Sequence, residues 1–305
     1  MPVDADILFD RRRLKRKLVF WRVLGAVALV GLIFSLAWRF GQPGGVLGDH
    51  VATLTVAGVI TDDQDRLELL QSIEDDDSAR ALIVYIDSPG GTFVGGETLY
   101  LALRRVAEHK PVVAVMREMA ASGGYMTALG ADRIFAREGT ITGSIGVIMQ
   151  TADVTGLLDK LGIKPEAIKS SPLKAAPSPL EETTPQVRIA IRSIINDMYG
   201  AFLEMVVDRR PLQPAEAGKL ADGRIFTGRQ AVANGLIDAI GGLREARAWL
   251  EETHQVSRDL PLNDMTPSVE DDLMQRLVST AIGNSGASSA LRLDGLLSVW
   301  HPQLR

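Results

Sequence analysis

The stretch ALIVYIDSPGG, residues 81–91, decides the fold class of this chain. Its apolar, β-branched run ends in the turn-forming residues SPGG, which is typical of a buried β-strand. Similar runs lie on either side, VATLTVAGVI at 51–60 and PVVAVM at 111–116. The segments between them, DRLELLQSIEDDD at 65–77 and ETLYLALRRVAEH at 97–109, have the spacing of amphipathic helices. Strands that alternate with helices predict an α/β domain with a largely parallel sheet.

Composition excludes several classes of function. The 305 residues carry a net charge of −5 and contain no cysteine, which rules out disulfides, thiolate zinc sites and a cysteine nucleophile. None of the four histidines lies in an H-E-x-x-H pattern. No basic stripe occurs outside the N-terminus, so nucleic acid is not an expected partner. We expect neither a metal nor another cofactor.

The N-terminus has the pattern of a membrane anchor. The cationic block RRRLKRK, residues 11–17, precedes an apolar run from Leu18 to Trp38. As a helix this run would be about 30 Å long, enough to span a bilayer, with Trp21 and Trp38 near its ends. A cleaved secretory signal is the alternative, but its apolar core is usually about 7–15 residues long. The charge distribution predicts a single-pass protein of the inner (plasma) membrane, with a cytoplasmic N-terminus and the remainder on the extracytoplasmic side.

The chain therefore divides into five predicted segments. A globular domain occupies the middle, and within it a long helix is predicted after Thr184 with Pro185 in the first turn. The C-terminal tail is punctuated by Ser, Asn and Gly, and we interpret it as poorly ordered or peripheral. The predicted segments are the cytoplasmic basic N-terminus (1–17), the transmembrane anchor (18–40), a Gly/Pro-rich linker (41–50), the globular domain (51–254) and the tail (255–305).

Two strands end in glycine-rich turns. IDSPGG, residues 86–91, closes the second strand, and AASGGY, residues 120–125, closes the third. The carboxyl ends of parallel strands meet at one edge of a sheet, where ligands bind. Ser122 is either the N-cap of the following helix or a nucleophile with room for a substrate. If it is a nucleophile, the backbone amides of Gly91 and Gly123 would form an oxyanion hole.

The general base, on this reading, is a lysine. No histidine lies between His109 and His254, and His109 precedes the strand that carries the serine. A lysine base must be neutral near pH 7–8, which costs about 4 kcal/mol of differential stabilisation that desolvation can supply. Four lysines follow the serine within reach of one loop: Lys160, Lys164, Lys169 and Lys174. Lys174, in the Pro- and Ala-rich segment SSPLKAAPSP, has the least polar neighbours in the sequence and is the first candidate for the base. The other three lysines stay open as candidates.

These motifs together resemble a known family. IDSPGG, MAASGGYMTALGADRIFA (119–136), TGSIGVI (142–148) and DGRIFTGRQAVANGLID (222–238) look like signal peptide peptidase A in its short, single-repeat form, a membrane-bound Ser/Lys peptidase family. The resemblance covers about residues 51–250 and implies a crotonase/Clp-protease-like α/β fold. It also implies a nucleophile at Ser122, a base at Lys174, within IKSSPLK, and oxyanion donors at Gly91 and Gly123.

The family degrades remnant signal peptides and assembles into rings. The resemblance therefore implies cleaved signal peptides as substrates, the membrane as a partner and a ring-shaped homo-oligomer. Two other functions stay open: a crotonase-type acyl-CoA enzyme, and an inactive membrane scaffold or chaperone on a peptidase fold. Ser144, the second hydroxyl in a glycine-rich motif, is interpreted as a structural or orienting residue.

Overall fold

The computed structural model describes residues 20–32, 48–266 and 296–299. The chain forms two compact units, Met1–Leu47 and Gly48–Arg305. In the first unit, residues 20–32 form helix α1, whose residues are exposed. None of the helices in these ranges has both the length and the apolar character that a membrane crossing requires. Several predicted segments lie wholly or partly outside the described residues: the basic N-terminus (1–17), both ends of the anchor (18–19 and 33–40), most of the linker (41–47) and most of the tail (267–295 and 300–305).

The predicted alternation of strands and helices is confirmed in the second unit. Side-chain caps explain where the first two helices of this unit begin. The Asp63 carboxylate accepts a hydrogen bond from the Arg66 amide at 3.1 Å, and the Thr92 hydroxyl accepts one from the Gly95 amide at 3.0 Å. The first five elements of the second unit are β1 (His50–Ile60), α2 (Gln64–Asp75), β2 (Ala79–Thr92), α3 (Phe93–His109) and β3 (Val112–Ala121).

The long helix predicted after Thr184 is also confirmed. Pro185 occupies its first turn, and the Thr184 hydroxyl accepts a hydrogen bond from the Val187 amide at 3.3 Å. The remaining elements are α4 (Gly123–Leu129), β4 (Arg133–Ala136), β5 (Ile141–Gly143), β6 (Ile148–Met149), α5 (Thr155–Lys160), α6 (Pro185–Arg209), α7 (Pro214–Leu220), β7 (Ile225–Thr227), α8 (Gly228–Ala233), β8 (Ala239–Ile240), α9 (Leu243–His254), β9 (Leu262–Asp264) and β10 (Leu296–Val299).

The strands form one sheet in which parallel pairs predominate. β2 lies at its centre, parallel to β1 on one side and to β3 on the other. β3 continues the parallel arrangement with β4 and β5, β4 with β8, and β1 with β9. Antiparallel pairs join β7 to β5, and β10 to both β2 and β6. The segment predicted as a tail thus contributes two strands, β9 and β10, to this sheet.

Both faces of the central strands are buried, which explains why ALIVYID is continuously apolar. Leu82, Val84 and Ile86 point into the larger core, which helices α2, α3, α4 and α6 cover. Ala81 and Ile83 point the other way, into a smaller core beneath α9. The carboxyl ends of β2 and β3 extend to the glycine-rich turns, and these turns carry the candidate site.

Candidate active site

A buried serine fixes the turn that ends β2. The Ser88 hydroxyl donates to the Gly58 carbonyl at 2.6 Å and accepts from the Gly90 amide at 3.0 Å. Gly90 has a φ of +107°, a conformation that L side chains rarely adopt. A Cβ on Gly91 would lie 1.7 Å from the Ile60 carbonyl oxygen, so no side chain fits there. The two glycines of IDSPGG are therefore required by the backbone path.

Ser122 joins β3 to α4 in a strained conformation. Its φ and ψ are 54° and −117°. The φ is positive, and the ψ lies far outside the range of about +30 to +60° that is allowed in the left-handed helical region. Its amide donates to the Gly143 carbonyl at 2.8 Å, and its carbonyl accepts from the Met126 amide at 2.9 Å, so both neighbouring elements hold the strained backbone in place. Such strain is typical of nucleophiles on strand-to-helix turns.

The N-cap alternative for Ser122 is not what the structure shows. The residue occupies the N-cap position of α4, but its side chain makes no capping hydrogen bond. The residue is also buried, with 2% of its surface exposed. A strained backbone without a capping hydrogen bond is costly for a purely structural residue, and this leaves the nucleophile hypothesis as the better explanation of the geometry.

The structure brings the two predicted oxyanion residues together. A Cβ built on Gly123 would lie 3.2 Å from the Gly91 nitrogen and 3.4 Å from the Gly90 Cα, so the two turns are in van der Waals contact. A Cβ on Gly124 would lie 2.9 Å from the Ser88 carbonyl oxygen. The glycines that follow Ser122 thus allow α4 to approach the end of β2. Gly91 and Gly123 lie on neighbouring pieces of backbone, and their role as oxyanion donors stays a prediction.

The structure does not bring the predicted base to the serine. Lys174 is exposed, and its side chain makes no hydrogen bond or ion pair with the described residues of the chain. Lys169, five residues earlier, forms an ion pair with Glu181, and its side chain is only 16% exposed. The Lys169 amine is thus already engaged by a carboxylate of the same chain. The Ser122–Lys174 dyad stays a prediction.

Two residues that support the site carry no clear signal in the sequence. The buried Thr142 hydroxyl donates to the Ala120 carbonyl at 2.7 Å and so fixes β5 to the end of β3. The Tyr125 hydroxyl donates to the Leu236 carbonyl at 2.8 Å. Burial raises the pKa of Tyr125, so the phenol stays protonated and remains a donor. A threonine or tyrosine in a glycine-rich motif could equally have faced a substrate, and only the folded contacts distinguish the two roles.

The motif DGRIFTGRQAVANGLID acts as scaffold in the structure. Its strand β7 pairs with β5, and its Leu236 carbonyl accepts the Tyr125 hydrogen bond that anchors α4. Ser144 has a φ of 53°, and its amide donates to the Arg224 carbonyl at 2.8 Å. The motif and the TGSIG turn therefore brace each other beside the serine.

A strained serine between a strand and a helix, with glycine amides beside it, defines the class of serine hydrolases. Within that class the comparisons with known proteins are specific. The profile of Peptidase family S49 matches residues 104–257, half of the chain. A relative from Synechocystis sp. is 39% identical over 201 residues, which are 65% of this chain and 72% of the relative. The chain belongs to peptidase family S49 and is a serine peptidase of the signal peptide peptidase A type.

Two further comparisons reach over more of the chain. The protein named "Serine protease SPPA, chloroplastic" from Arabidopsis thaliana is 30% identical over 271 residues, which are 81% of this chain but 39% of that relative. Among solved structures, a mutant of the 1510-N membrane-bound stomatin-specific protease in complex with a substrate peptide is 18% identical, with a TM-score of 0.47. The alignment covers 77% of this chain and 100% of that one.

Proposed function

We propose that this protein is a membrane-anchored endopeptidase that degrades remnant signal peptides, with Ser122 as nucleophile and Lys174 as general base. The observation that carries the proposal is the contact between two glycine-rich turns, one of which holds Ser122 in a strained conformation while the other presents Gly91. Membership of the S49 family supports the peptidase chemistry.

The proposed reaction is acyl transfer through a serine ester. The neutral amine of Lys174 takes the proton from the Ser122 hydroxyl as its oxygen attacks the scissile carbonyl. The amides of Gly91 and Gly123 donate to the oxyanion, where each donor contributes about 3–4 kcal/mol of transition-state stabilisation. The lysine then gives its proton to the leaving amine, and water hydrolyses the acyl-enzyme with the lysine again as base.

We further propose that Lys174 reaches the Ser122 of an adjacent subunit in a ring-shaped homo-oligomer. A lysine base needs a site removed from water, and Lys174 is exposed in the single chain, so a partner subunit would have to supply that burial. Apolar side chains near it are also exposed: Ile168 by 97%, Leu173 by 40% and Leu180 by 46%. Clustered exposed apolar groups are typical of an interaction surface. A head-to-tail contact that closes into a ring would cover them.

The anchor and the substrate class support each other. The apolar run from Leu18 to Trp38 behind a cationic block favours insertion with the domain on the extracytoplasmic side. Signal-peptide remnants are apolar and lie in the bilayer, so an anchored enzyme meets them at high local concentration. Membrane fractionation and protease protection of the full chain test this part of the proposal directly, since a chain found only in the soluble fraction would contradict it.

The central experiment is complementation in mixed rings. Ser122→Ala and Lys174→Ala chains are co-expressed and co-purified, and hydrolysis of a synthetic leader peptide is measured. Each variant alone is expected to be inactive, whereas random mixing should restore about a quarter of the wild-type sites, because each site takes its serine and its lysine from different parents. Mixed rings without activity would place both residues in one chain.

Two controls make the result specific. Lys169→Ala removes the neighbouring lysine and should keep activity, so a loss of activity there and not at Lys174 would show that the wrong base was chosen. Labelling by a serine-reactive probe should occur in the wild type and disappear in Ser122→Ala. A folded wild-type protein that neither reacts with the probe nor cleaves the peptide would favour the inactive scaffold.

A further inference from the structure

Two adjacent arginines lie at the end of α6, a helix that packs against α4. Arg209 is the last residue of α6, and Arg210 follows it as the C-cap. Their side chains are only 25% and 5% exposed. A guanidinium removed from water is costly unless its N–H groups are bonded, so the partners of these two side chains show which parts of the fold they hold.

Arg209 binds the C-terminal end of α4. Its Nε donates to the Leu129 carbonyl at 3.1 Å, and its Nη2 donates to the Ala131 carbonyl at 3.0 Å. The Gly130 carbonyl between them accepts from Nη1 of Arg104, on α3, at 3.1 Å. Because the last carbonyls of a helix have no partner within the helix, these bonds fix the end of α4 to α6 and α3.

One carboxylate joins this end of α4 to the start of β3. Oδ1 of Asp132 accepts from Arg104 at 2.9 Å and lies 3.6 Å from Nη2 of Arg209. Its Oδ2 accepts from the amide of Val112, the first residue of β3, at 3.1 Å. β3 ends one residue before Ser122, and α4 begins one residue after it. The strand and the helix that flank the serine are therefore tied together at the ends remote from it.

Arg210 fixes the loop that anchors the first turn of α4. Its Nε donates to the Gly235 carbonyl at 2.9 Å, and its two terminal nitrogens donate to the two oxygens of Asp238 at 3.1 and 3.2 Å. Leu236 lies between these two contacts, and its carbonyl accepts the Tyr125 hydrogen bond. A bidentate arginine–carboxylate pair has a specific geometry, so it sets the place of the carbonyl that Tyr125 binds.

We infer that Arg209 and Arg210 are positioning residues for the nucleophile Ser122. Together they hold both ends of α4 and so keep its first turn against the turn that carries Gly91. The inference rests on the proposed function, since it takes Ser122 as the attacking residue. α4 has only seven residues, too few to be stable without such contacts, and the strained serine persists only where its surroundings hold it. A shift of about 1 Å in a reacting group can lower the rate about 100-fold.

The test compares substitutions that remove or keep the donors. Arg209→Met keeps most of the length of the side chain but removes its charge and donors, whereas Arg209→Lys restores a cation that can donate to a carbonyl. Arg210→Lys leaves a positive charge beside Asp238 but loses the bidentate geometry. Tyr125→Phe removes only a hydroxyl and tests the same link if Arg210→Lys does not fold. Leu250→Ala is the control for lost stability, because Leu250 lies in the core beneath α9, on the other face of the sheet.

Three readouts are compared in variants that circular dichroism and thermal unfolding show to be folded. With a synthetic leader peptide, Arg209→Met, Arg210→Lys and Tyr125→Phe should lower kcat about 10- to 100-fold and leave KM within about twofold, because a displaced attacking group slows the chemical step more than it weakens binding. Labelling by a serine-reactive probe should slow by a similar factor. Arg209→Lys should recover part of the loss, and Leu250→Ala should keep the wild-type kcat. Amide hydrogen exchange in residues 123–131 should be faster in the three variants than in Leu250→Ala.

The outcomes are distinct. Wild-type kcat in variants whose α4 exchanges faster would show that the arginines stabilise the helix without positioning the serine, which overturns the inference and leaves the peptidase proposal intact. A fall of kcat in Leu250→Ala equal to that in Arg209→Met would assign the loss to lower stability and would also overturn the inference. Slower labelling with faster exchange, in a set where even the wild type cleaves no peptide, would uphold the positioning of Ser122 and contradict the proposed peptidase.

Discussion

Replacing Ser122 with glycine or alanine separates the chemical role of this residue from its conformational cost. Both substitutions remove the hydroxyl, so both variants should lose peptide hydrolysis if Ser122 is the nucleophile. They differ in the backbone. Alanine keeps the Cβ that makes φ 54° and ψ −117° unfavourable, whereas glycine adopts such angles freely.

The expected difference in stability follows from three contributions. Relief of the strained conformation favours glycine by about 1–3 kcal/mol. The greater freedom of glycine in the unfolded chain costs about 0.5–1 kcal/mol, and the loss of one buried carbon costs about 0.8 kcal/mol. Taken at their midpoints, these estimates make the free energy of unfolding of Ser122→Gly about 0.5 kcal/mol higher than that of Ser122→Ala.

The neighbouring residue provides the control. Ala121 lies at the end of β3, is fully buried, and is not among the residues with positive φ. Ala121→Gly has the same two unfavourable contributions without the relief of strain, so it should lower the free energy of unfolding by about 1.5 kcal/mol. Urea unfolding of the four proteins measures both differences. If glycine costs as much at 122 as at 121, the serine is not strained, and the structural argument for a nucleophile fails.

Three further predictions concern the turns and helix caps around the site. Ser88→Ala leaves the buried Gly90 amide without its partner and should lower the free energy of unfolding by about 1–3 kcal/mol in urea titrations; an unchanged midpoint would contradict the hydrogen bond described. Gly123→Ala places a Cβ 3.2 Å from the Gly91 nitrogen, so the two turns must separate by a few tenths of an ångström, and kcat should fall about 10- to 100-fold. Gly200→Ala is the control, because its Cβ would meet nothing within 4 Å; it should keep full activity and gain up to about 1 kcal/mol of stability. If Gly123→Ala and Gly200→Ala had equal kcat, this would argue against the oxyanion assignment. The Glu245 carboxylate accepts from the backbone amide at the start of α9, and this lowers its pKa from 4.5 to about 2. Its charge therefore stabilises the fold above pH 4.5, and that stabilisation is lost as the pH falls towards about 2. Thermal unfolding should show Glu245→Gln less stable than wild type at neutral pH with a gap that closes in acid, and a gap independent of pH would refute this.

Local patterns in the sequence predict most of the elements around the site. Continuous apolar runs identify β1, β2 and β3, because strands buried on both faces need apolar residues at every position. Thr184 and Pro185 mark the start of α6, since a cap and a first-turn proline act within a few residues. The paired glycines after β2 and β3 indicate close backbone approach at one sheet edge, which the contact between Gly91 and Gly123 confirms.

The sequence by itself determined the α/β class, the two glycine-rich turns and Ser122 as the candidate nucleophile, because each depends on residues close together in the chain. Only the tertiary structure decided that Ser122 is strained rather than a helix cap, that Lys169 is paired with Glu181, and that residues 296–299 enter the sheet beside Gly91. These features depend on groups that meet only when the chain folds. The places of Ser122 and of residues 296–299 depend on where β2 and β3 separate, and no local pattern of residues encodes that point.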